Sequence, residues 1–345
     1  MEVWRRWVRR GARPHVGEPD LLSKLVSVVI CAYNNWPDLE LAIQSALCQS
    51  HPSVEIIVVD NSSADATADE VPKRFGDRVQ FVRQENRGDS GAYNTGMAIA
   101  KGEFIQFLDG DDVLAPDKIE RQLEVFLSDP GADVVFGNVR YFRSFPGVAA
   151  WTDYDSTEAD VGIARLIERE GGCVGAVLAV LFRRRALEKV GRWDESIYVS
   201  DSDYELRAIL AGCRYRSCAG GPVGFKRIRP GQMGANYSAM LDGMEALWMK
   251  ALTIIGEERY RAGIVHKLAR GRLFRALRAE NMSRAEALAK CREARRTCPA
   301  AIPLAAFLAV SLVIAVPGGR ELARSPRFRP LRRFAAKLFG YAIYG

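Results

Sequence analysis

The stretch FIQFLDGDD, residues 104–112, decides how this chain is read. Its first half, Phe104 to Leu108, is a short apolar run of the length and character of a fully buried strand. It stops at three carboxylates in four positions, Asp109, Asp111 and Asp112. Carboxylates so close repel one another unless a cation or solvent compensates. Magnesium and manganese are hard cations that take oxygen ligands, so one carboxylate, two phosphate oxygens and water would complete a shell there. In an extended segment Asp109 and Asp111 point one way and Asp112 the other. That alternation makes Asp111 the expected direct ligand and Asp109 a contact to a ribose or a metal-bound water. The alternative for the turn taken alone is a cap for the helix that Pro116 starts.

Working outward, residues 25–32 (LVSVVICA) form a second buried run, 54–59 a third and 79–82 a fourth. Between them lie helical patterns. Residues 37–49 place Leu39, Ile43, Ala46 and Leu47 on one face, and the polar turn 61–65 caps a helix that ends at Phe75. Another helix opens over 88–94 and is closed by Gly102. Downstream, a helix runs from 116 to 126, and 132–142 reads as a fifth strand. Strand and helix alternating with short connections predict a parallel sheet covered by helices on both faces. In such sheets ligands bind outside the carboxyl ends of the strands. Asp60, Asn86 and Asp109 all stand at such ends and are expected to converge on one crevice. From 151 to 235 the pattern loosens, with a helix over 163–170, a strand over 176–182 and a helix over 201–211. From 238 to 298 helical periodicity dominates.

Several residues carry candidate chemistry. Asp60 can accept hydrogen bonds from ribose hydroxyls or a base N–H, and it equally suits an Asx turn. Asn86-Arg87-Gly88 precedes a helix, and Gly88 permits a tight turn with close approach of a ligand. Arg87 either pairs with phosphate or points to water, and Asn94 follows inside the helix. Ser200 is a fitting N-cap, which puts Asp201 and Asp203 in the first helical turn. Positions two apart on a helix do not share a face, so the two carboxylates do not address one atom. Residues 226–231 are basic and either neutralise a diphosphate or form a solvated loop.

In order and spacing, the segments VSVVICAYNN, AIQSALCQS, VEIIVVDNSSADAT and ENRGDSGAYNTGMAIAKGEFIQFLDGDD closely resemble the family-two glycosyltransferases of GT-A fold. The weaker segment FRRRALEKVGRWDESIYVSDSDYELRAILAGCRYR extends the likeness to about Arg216. The resemblance implies an α/β nucleotide-diphospho-sugar transferase fold, Rossmann-like with a mostly parallel sheet, followed by a helical extension. It implies that Ala32, Tyr33 and Asn34 line a nucleotide pocket and that Asp60 contacts base or ribose. Asn86, Gly88 and Asn94 are counted with the nucleotide site. Asp109 and Asp111 match the Asp-x-Asp element that holds Mn2+ or Mg2+ and the nucleotide. Asp201 matches the catalytic carboxylate, and Trp193-Asp194-Glu195 the element before it. Two departures stand out. Ser200 replaces the usual glutamate before the base, and Arg229 stands where many relatives have a histidine. A guanidinium is no ordinary metal ligand but binds phosphate bidentately.

The expected reaction is inverting transfer from a nucleotide-diphosphate sugar, a uridine diphosphate sugar by the family's habit, to a glycan or lipid-linked acceptor. Cell-surface polysaccharide or glycolipid synthesis is the expected setting. Two rivals remain at this point, a nucleotidyltransferase and a non-catalytic nucleotide-sugar-binding or scaffold subunit. The first would want a basic, Gly-rich loop after the first strand, where this chain has Ala32-Tyr33-Asn34-Asn35.

The bulk properties suit an anionic partner, whether a nucleotide diphosphate, a nucleic acid or an acidic membrane surface, and with the resemblance no nucleic acid partner is expected. The formal net charge is +7, and the sign alone does not choose among such partners. Seven cysteines, odd in number and without CxxC spacing, suit a reducing compartment. The expected division is a basic tail (1–24), a transferase domain (25–235, nucleotide half 25–130 and acceptor half 131–235), a helical extension (236–298) and an apolar segment with a basic tail (299–345). Residues 300–316 fit a buried hairpin, an in-plane membrane helix or a span. With Arg320 to Lys337 behind them, the expected location is the cytoplasmic face of a membrane.

Overall fold

The computed structural model describes residues 23–142, 153–154, 176–229, 232, 236–278, 282–299, 302 and 304–316. Their contacts group them into two units. The first holds the described residues up to 195 and those from 207 to 229; the second holds 196–206 and those from 232 onward. The helix expected over 163–170 lies outside the described residues, as do residues 1–22 of the N-terminal tail and 317–345 of the C-terminal one.

The first unit is built on a seven-stranded sheet. Its strands include β1 (Val26–Ala32), β2 (Val54–Asp60), β3 (Gln80–Arg83) and β4 (Phe104–Asp109). β1 pairs in parallel with β2 on one side and β4 on the other, and β2 pairs in parallel with β3. Central parallel strands are covered on both faces, so they are apolar throughout rather than alternating. Val28, Val29, Ile30, Ile57, Val58, Ile105 and Phe107 accordingly have no solvent exposure. Helices α1 (Asp38–Leu47), α2 (Thr67–Phe75) and α3 (Gly88–Ile99) connect these strands. The expected face of α1 is buried through Leu39, Ile43 and Ala46, with Ala42 in place of Leu47.

A short strand, β5 (Val113–Leu114), follows the acidic turn, and helix α4 (Lys118–Ser128) follows it. The single strand expected over 132–142 is two strands, β6 (Val134–Phe136) and β7 (Val139–Phe142), which belong to different sheets. The break falls at Gly137, where a side chain would meet Val223 Cγ1 at 2.4 Å. A glycine inside a strand pattern marks such a close approach.

β8 (Asp153–Tyr154) adds to β7, and β9 (Val180–Arg183) enters the large sheet after a 3-10 turn at Val177–Ala179. β9 runs antiparallel to both β4 and β6, so the sheet is mostly parallel, as expected. Helix α5 (Arg184–Val190) follows, then α6 (Ser200–Leu210), β10 (Tyr215–Ser217) and β11 (Gly224–Arg227). The large sheet has the order β10-β6-β9-β4-β1-β2-β3, and a second sheet the order β5-β11-β7-β8.

The second unit is helical, with α7 (Tyr237–Ile254), α8 (Glu258–Arg278), α9 (Arg284–Thr297) and α10 (Leu304–Ala315). Ser283 and Glu286 form a reciprocal capping box at the start of α9, satisfying two otherwise orphaned donors. Leu273, Phe274, Ala287, Cys291, Val310 and Ile314 form its core. Glu245 ties three helices together through Arg272 at 2.7 Å, Arg275 at 3.2 Å and Lys290 at 3.4 Å. Burial draws the Glu245 carboxyl upward, but the Arg272 hydrogen bond and the Lys290 and Arg272 charges outweigh it and hold it below the usual glutamate range.

Among the described residues no helix is long and apolar enough to cross a membrane. α10 has 12 residues, about 18 Å of helix against a hydrocarbon core of about 30 Å. Val310 and Ile314 are buried, while Leu308, Leu312 and Val316 are 55%, 66% and 47% exposed. The helix therefore packs one apolar face and presents another.

Candidate active site

Register places the functional ends of three strands at one level. Ala32 lies opposite Asp60 on β2, and Cys31 opposite Asp109 on β4. With strands about 4.8 Å apart, the Asp60 and Asp109 backbones stand about two spacings, or 10 Å, from each other. The strand ends that carry Asp60 and Asp109 thus lie near each other in the first unit, and Asn86 follows β3, whose Arg83 lies opposite Asp60.

The β1–β3 side of this edge is a set of interlocked turns. The buried Ala32 accepts the Asn61 N–H through its carbonyl at 2.9 Å. Tyr33 is 48% exposed. Asn34 adopts a left-handed backbone, with φ of 47°. Its N–H donates to Ser63 Oγ at 3.0 Å and its Oδ1 accepts the Ala64 N–H at 2.7 Å. Asp60 is fully buried. Its Oδ1 accepts the Ser63 N–H at 3.0 Å, while Oδ2 faces Arg83 Nε at 3.6 Å and accepts no hydrogen bond. Asn86 Oδ1 accepts the Gly88 N–H at 2.9 Å, and Gly88, at φ of 69°, uses the freedom expected of it. The Gly88 carbonyl then accepts Asn61 Nδ2 at 2.8 Å, joining the third turn to the second. Arg87 is engaged by Thr95 at 2.9 Å and by Glu195 at 3.6 Å.

Asn94, expected with the nucleotide site, is buried and bonded to the 193–195 segment. It is 1% exposed, its Oδ1 accepts the Trp193 N–H at 2.8 Å, and its Nδ2 donates to the Trp193 carbonyl at 3.0 Å and Glu195 Oε1 at 2.9 Å. The Trp193 ring meets Tyr93 at a tilt, with centroids 5.1 Å apart, and Phe107 edge-on at 5.2 Å. The Tyr93 hydroxyl donates to Asp109 Oδ1. Asn94 thus fixes the 193–195 segment to α3.

The acidic turn closes tightly. The Gly110 N–H donates to the Cys31 carbonyl at 2.9 Å, and a side chain there would meet Asn35 Nδ2 at 2.2 Å. The Asp112 N–H donates to the Asp109 carbonyl at 3.0 Å. The strand ends at Asp109, so side-chain alternation does not extend across the turn. Asp109, Asp111 and Asp112 each offer an oxygen within 4.8 Å of the others, against the expectation that Asp112 turns away. Asp112 is 1% exposed, and its Oδ2 accepts no hydrogen bond. Burial and the Asp109 charge raise the Asp111 carboxyl despite Arg229 and Lys226. Burial lifts Asp112 to about 8, with Lys226 opposing. Three hard oxygen donors, one of them an orphaned buried carboxylate oxygen, fit a divalent cation such as Mn2+ or Mg2+.

The basic segment 226–229 is structured rather than a solvated loop. β11 pairs antiparallel with β5, immediately after the acidic turn, and in parallel with β7. Lys226 Nζ lies 3.4 Å from Asp109 Oδ2 and 3.6 Å from Asp112 Oδ2. The Arg227 N–H donates to Asp112 Oδ1 at 2.8 Å, and its guanidinium pairs with Asp38 at 3.1 Å. Arg229 Nε pairs with Asp111 Oδ2 at 2.8 Å. Lys226 and Arg227 belong to the basic run for which a diphosphate or solvent was the expected partner. Their run of charge was visible in the sequence; their partners were not.

Asp201 belongs to the second unit. It stands in the first turn of α6, half-buried, and its Oδ1 accepts the Ser202 N–H at 2.8 Å. Asp203 is fully buried on another face and pairs with Lys250 at 2.6 Å. The two carboxylates do not share a face, as their spacing requires.

The first unit is thus a mostly parallel α/β sheet with an acidic turn at its carboxyl edge and the basic β11 of the second sheet beside that turn. The model of the family "Glycosyl transferase family 2" matches residues 27–191. An uncharacterised glycosyltransferase of Rickettsia typhi is 30% identical over 67% of this chain and 73% of its own length. The chain belongs to glycosyl transferase family 2. The succinoglycan biosynthesis protein ExoO of Rhizobium meliloti is 32% identical over 62% of this chain and 64% of its own. Against two further curated relatives the chain spans only about half of their length, 52% and 58%. Two solved structures share the fold. Staphylococcus aureus TarS 1–349, in complex with UDP-GlcNAc, has a TM-score of 0.60 at 16% identity, covering 93% of each chain. The mannosyltransferase PcManGT of Pyrobaculum calidifontis, in complex with GDP-Man and Mn2+, has a TM-score of 0.57 at 21% identity, covering 98% of this chain and 91% of its own.

Proposed function

We propose that this chain transfers a sugar from a uridine diphosphate sugar to an acceptor hydroxyl, with inversion at the anomeric carbon. The observation that carries the reading is the grouping of a buried, under-bonded Asp60 and an acidic turn with cationic cover along one sheet edge. Ala32, Tyr33, Asn34, Asn86 and Gly88 form the nucleotide wall, and Asp60 takes the base or ribose. Asp109 and Asp111 hold the divalent cation, with Asp112 beside them. When bound, that ion supplies charge stabilisation to the departing diphosphate. Arg229 is suited to the same oxygens.

Asp201 is the general base, a role that rests on the family resemblance. It accepts the acceptor's hydroxyl proton. The acceptor oxygen bonds to the anomeric carbon, and the bond from that carbon to the diphosphate breaks, its electron pair leaving on the nucleotide. The likeness to a succinoglycan biosynthesis protein supports polysaccharide or lipid-linked glycan synthesis. The exposed Leu308, Leu312 and Val316 support work at the cytoplasmic face of an anionic membrane, the arginine-rich segment after residue 320 adding attraction.

The test is incubation with a panel of nucleotide sugars and Mn2+, reading free nucleoside diphosphate and the product's anomeric configuration by NMR. Release of uridine diphosphate with an inverted product is the expected result. A retained configuration refutes the one-base scheme, and no release from any donor in the presence of acceptor extracts refutes the transferase reading.

A further inference from the structure

Lys226 is placed unlike an ordinary surface lysine. Its ammonium sits between Asp109 Oδ2 at 3.4 Å and Asp112 Oδ2 at 3.6 Å, two of the three carboxylates whose oxygens gather within 4.8 Å. Asp112 Oδ2 is buried and accepts no hydrogen bond. The closeness of Lys226 is built in rather than incidental, because the neighbouring Arg227 N–H is bonded to the other oxygen of Asp112 and β11 is paired on both edges. On the far side, Arg229 neutralises Asp111 in the same way. Three carboxylates crowded at a strand end repel one another, and here the chain's own cations lessen that repulsion.

We propose that Lys226 is a tethered counter-ion of the acidic turn, and that a divalent cation binds by displacing its ammonium from Asp109 and Asp112. This rests on the proposed cation site but not on the donor or the reaction. A divalent ion and an ammonium cannot share those two oxygens without strong like-charge repulsion, so binding in the free protein carries the cost of breaking the lysine pairs. The pairs are part-exposed toward Asp109 and buried toward Asp112, so their loss is set at about tenfold in affinity, equivalent to about 1.4 kcal/mol. Resident cationic cover keeps the turn folded without metal and lowers its affinity for the free ion.

The test is Mn2+ binding to the full chain, without nucleotide, read by electron paramagnetic resonance of the free ion. Lys226→Met is expected to bind about tenfold more tightly than wild type, and Lys226→Arg, which keeps the charge, to stay near wild type. Equal or weaker binding by Lys226→Met overturns the proposal. A second measurement needs no variant. Competitive acetylation of wild-type protein, read by mass spectrometry, is expected to label Lys226 more readily, relative to the other lysines, when Mg2+ is added. Unchanged or reduced labelling overturns it. If neither wild type nor variant holds Mn2+ at millimolar concentration, the inference falls with the cation site. A thermal shift by uridine diphosphate in EDTA would in that case leave the nucleotide reading standing.

Discussion

Replacing Asn94 by alanine tests the internal scaffold of the site. The side chain is buried and makes three hydrogen bonds, two to the Trp193 backbone at 2.8 and 3.0 Å and one to Glu195 at 2.9 Å. A buried hydrogen bond contributes about 1 kcal/mol net, and a buried partner deprived of its bond costs about 1–3 kcal/mol. Since Trp193 is itself only 3% exposed, water does not freely replace what Asn94 supplied. The expected loss is about 3 kcal/mol, measured as the shift of the sheet unit's urea transition by circular dichroism. Asn94→Asp keeps the acceptor for the Trp193 N–H but sets a second carboxylate against Glu195, and should cost at least as much. Because Asn94 grips the 193–195 segment and not the nucleotide wall, affinity for uridine diphosphate should stay within about threefold while turnover falls, the split that separates positioning from binding. A stability loss under about 1 kcal/mol would refute the bookkeeping. A large loss of nucleotide affinity with intact turnover would put Asn94 in the nucleotide pocket.

The remaining predictions address other parts of the chain. Asp60→Asn turns the under-bonded oxygen into a donor, so uridine diphosphate should bind at least about tenfold more weakly by calorimetry, the value of a hydrogen bond to a charged acceptor; unchanged affinity would make Asp60 a turn cap only. Asp201→Asn should abolish transfer while donor affinity stays near wild type; lost donor binding would make Asp201 a binding or structural residue. Glu245→Gln should destabilise the helical unit by about 2 kcal/mol at neutral pH. Because the folded Glu245 carboxyl lies below its ordinary value, its contribution is full above that value and is lost as pH falls through the depressed one. The gap between wild type and variant should therefore close in acid, and a gap that widens there would contradict the assignment.

The parts of the fold that were legible in the sequence share one property. β1, β2 and β4 are continuous apolar runs whose neighbours are dictated by short helical crossovers, so local pattern and tertiary fate coincide. Their ends gave the position of Asp60 and Asp109. What escaped was long-range pairing. β5 has two residues, too few for any periodicity, and it is a strand only because β11 lies beside it, more than a hundred residues later in sequence. The direction of β9 was equally hidden, since an apolar run does not encode whether its neighbours run with it or against it. Gly137 is the exception, a signal that was present and that marks where one predicted strand divides in two.

The same distinction explains the site. Sequence order supplied the acidic half, because three carboxylates in four residues are conspicuous wherever they stand. It could not supply the rest of Asp109's environment. Asp109 accepts from Tyr93 on α3 through one oxygen and faces Lys226 on β11 through the other, while the Tyr93 ring carries Trp193, which Asn94 clamps from the same helix. One helix thus holds both the acidic turn and the 193–195 segment. With Tyr93 fixing one Asp109 oxygen, the proposed cation displacement would fall on the other oxygen and on the lysine, whose flexible stem would let its ammonium move away while the carboxylate stays where the helix holds it.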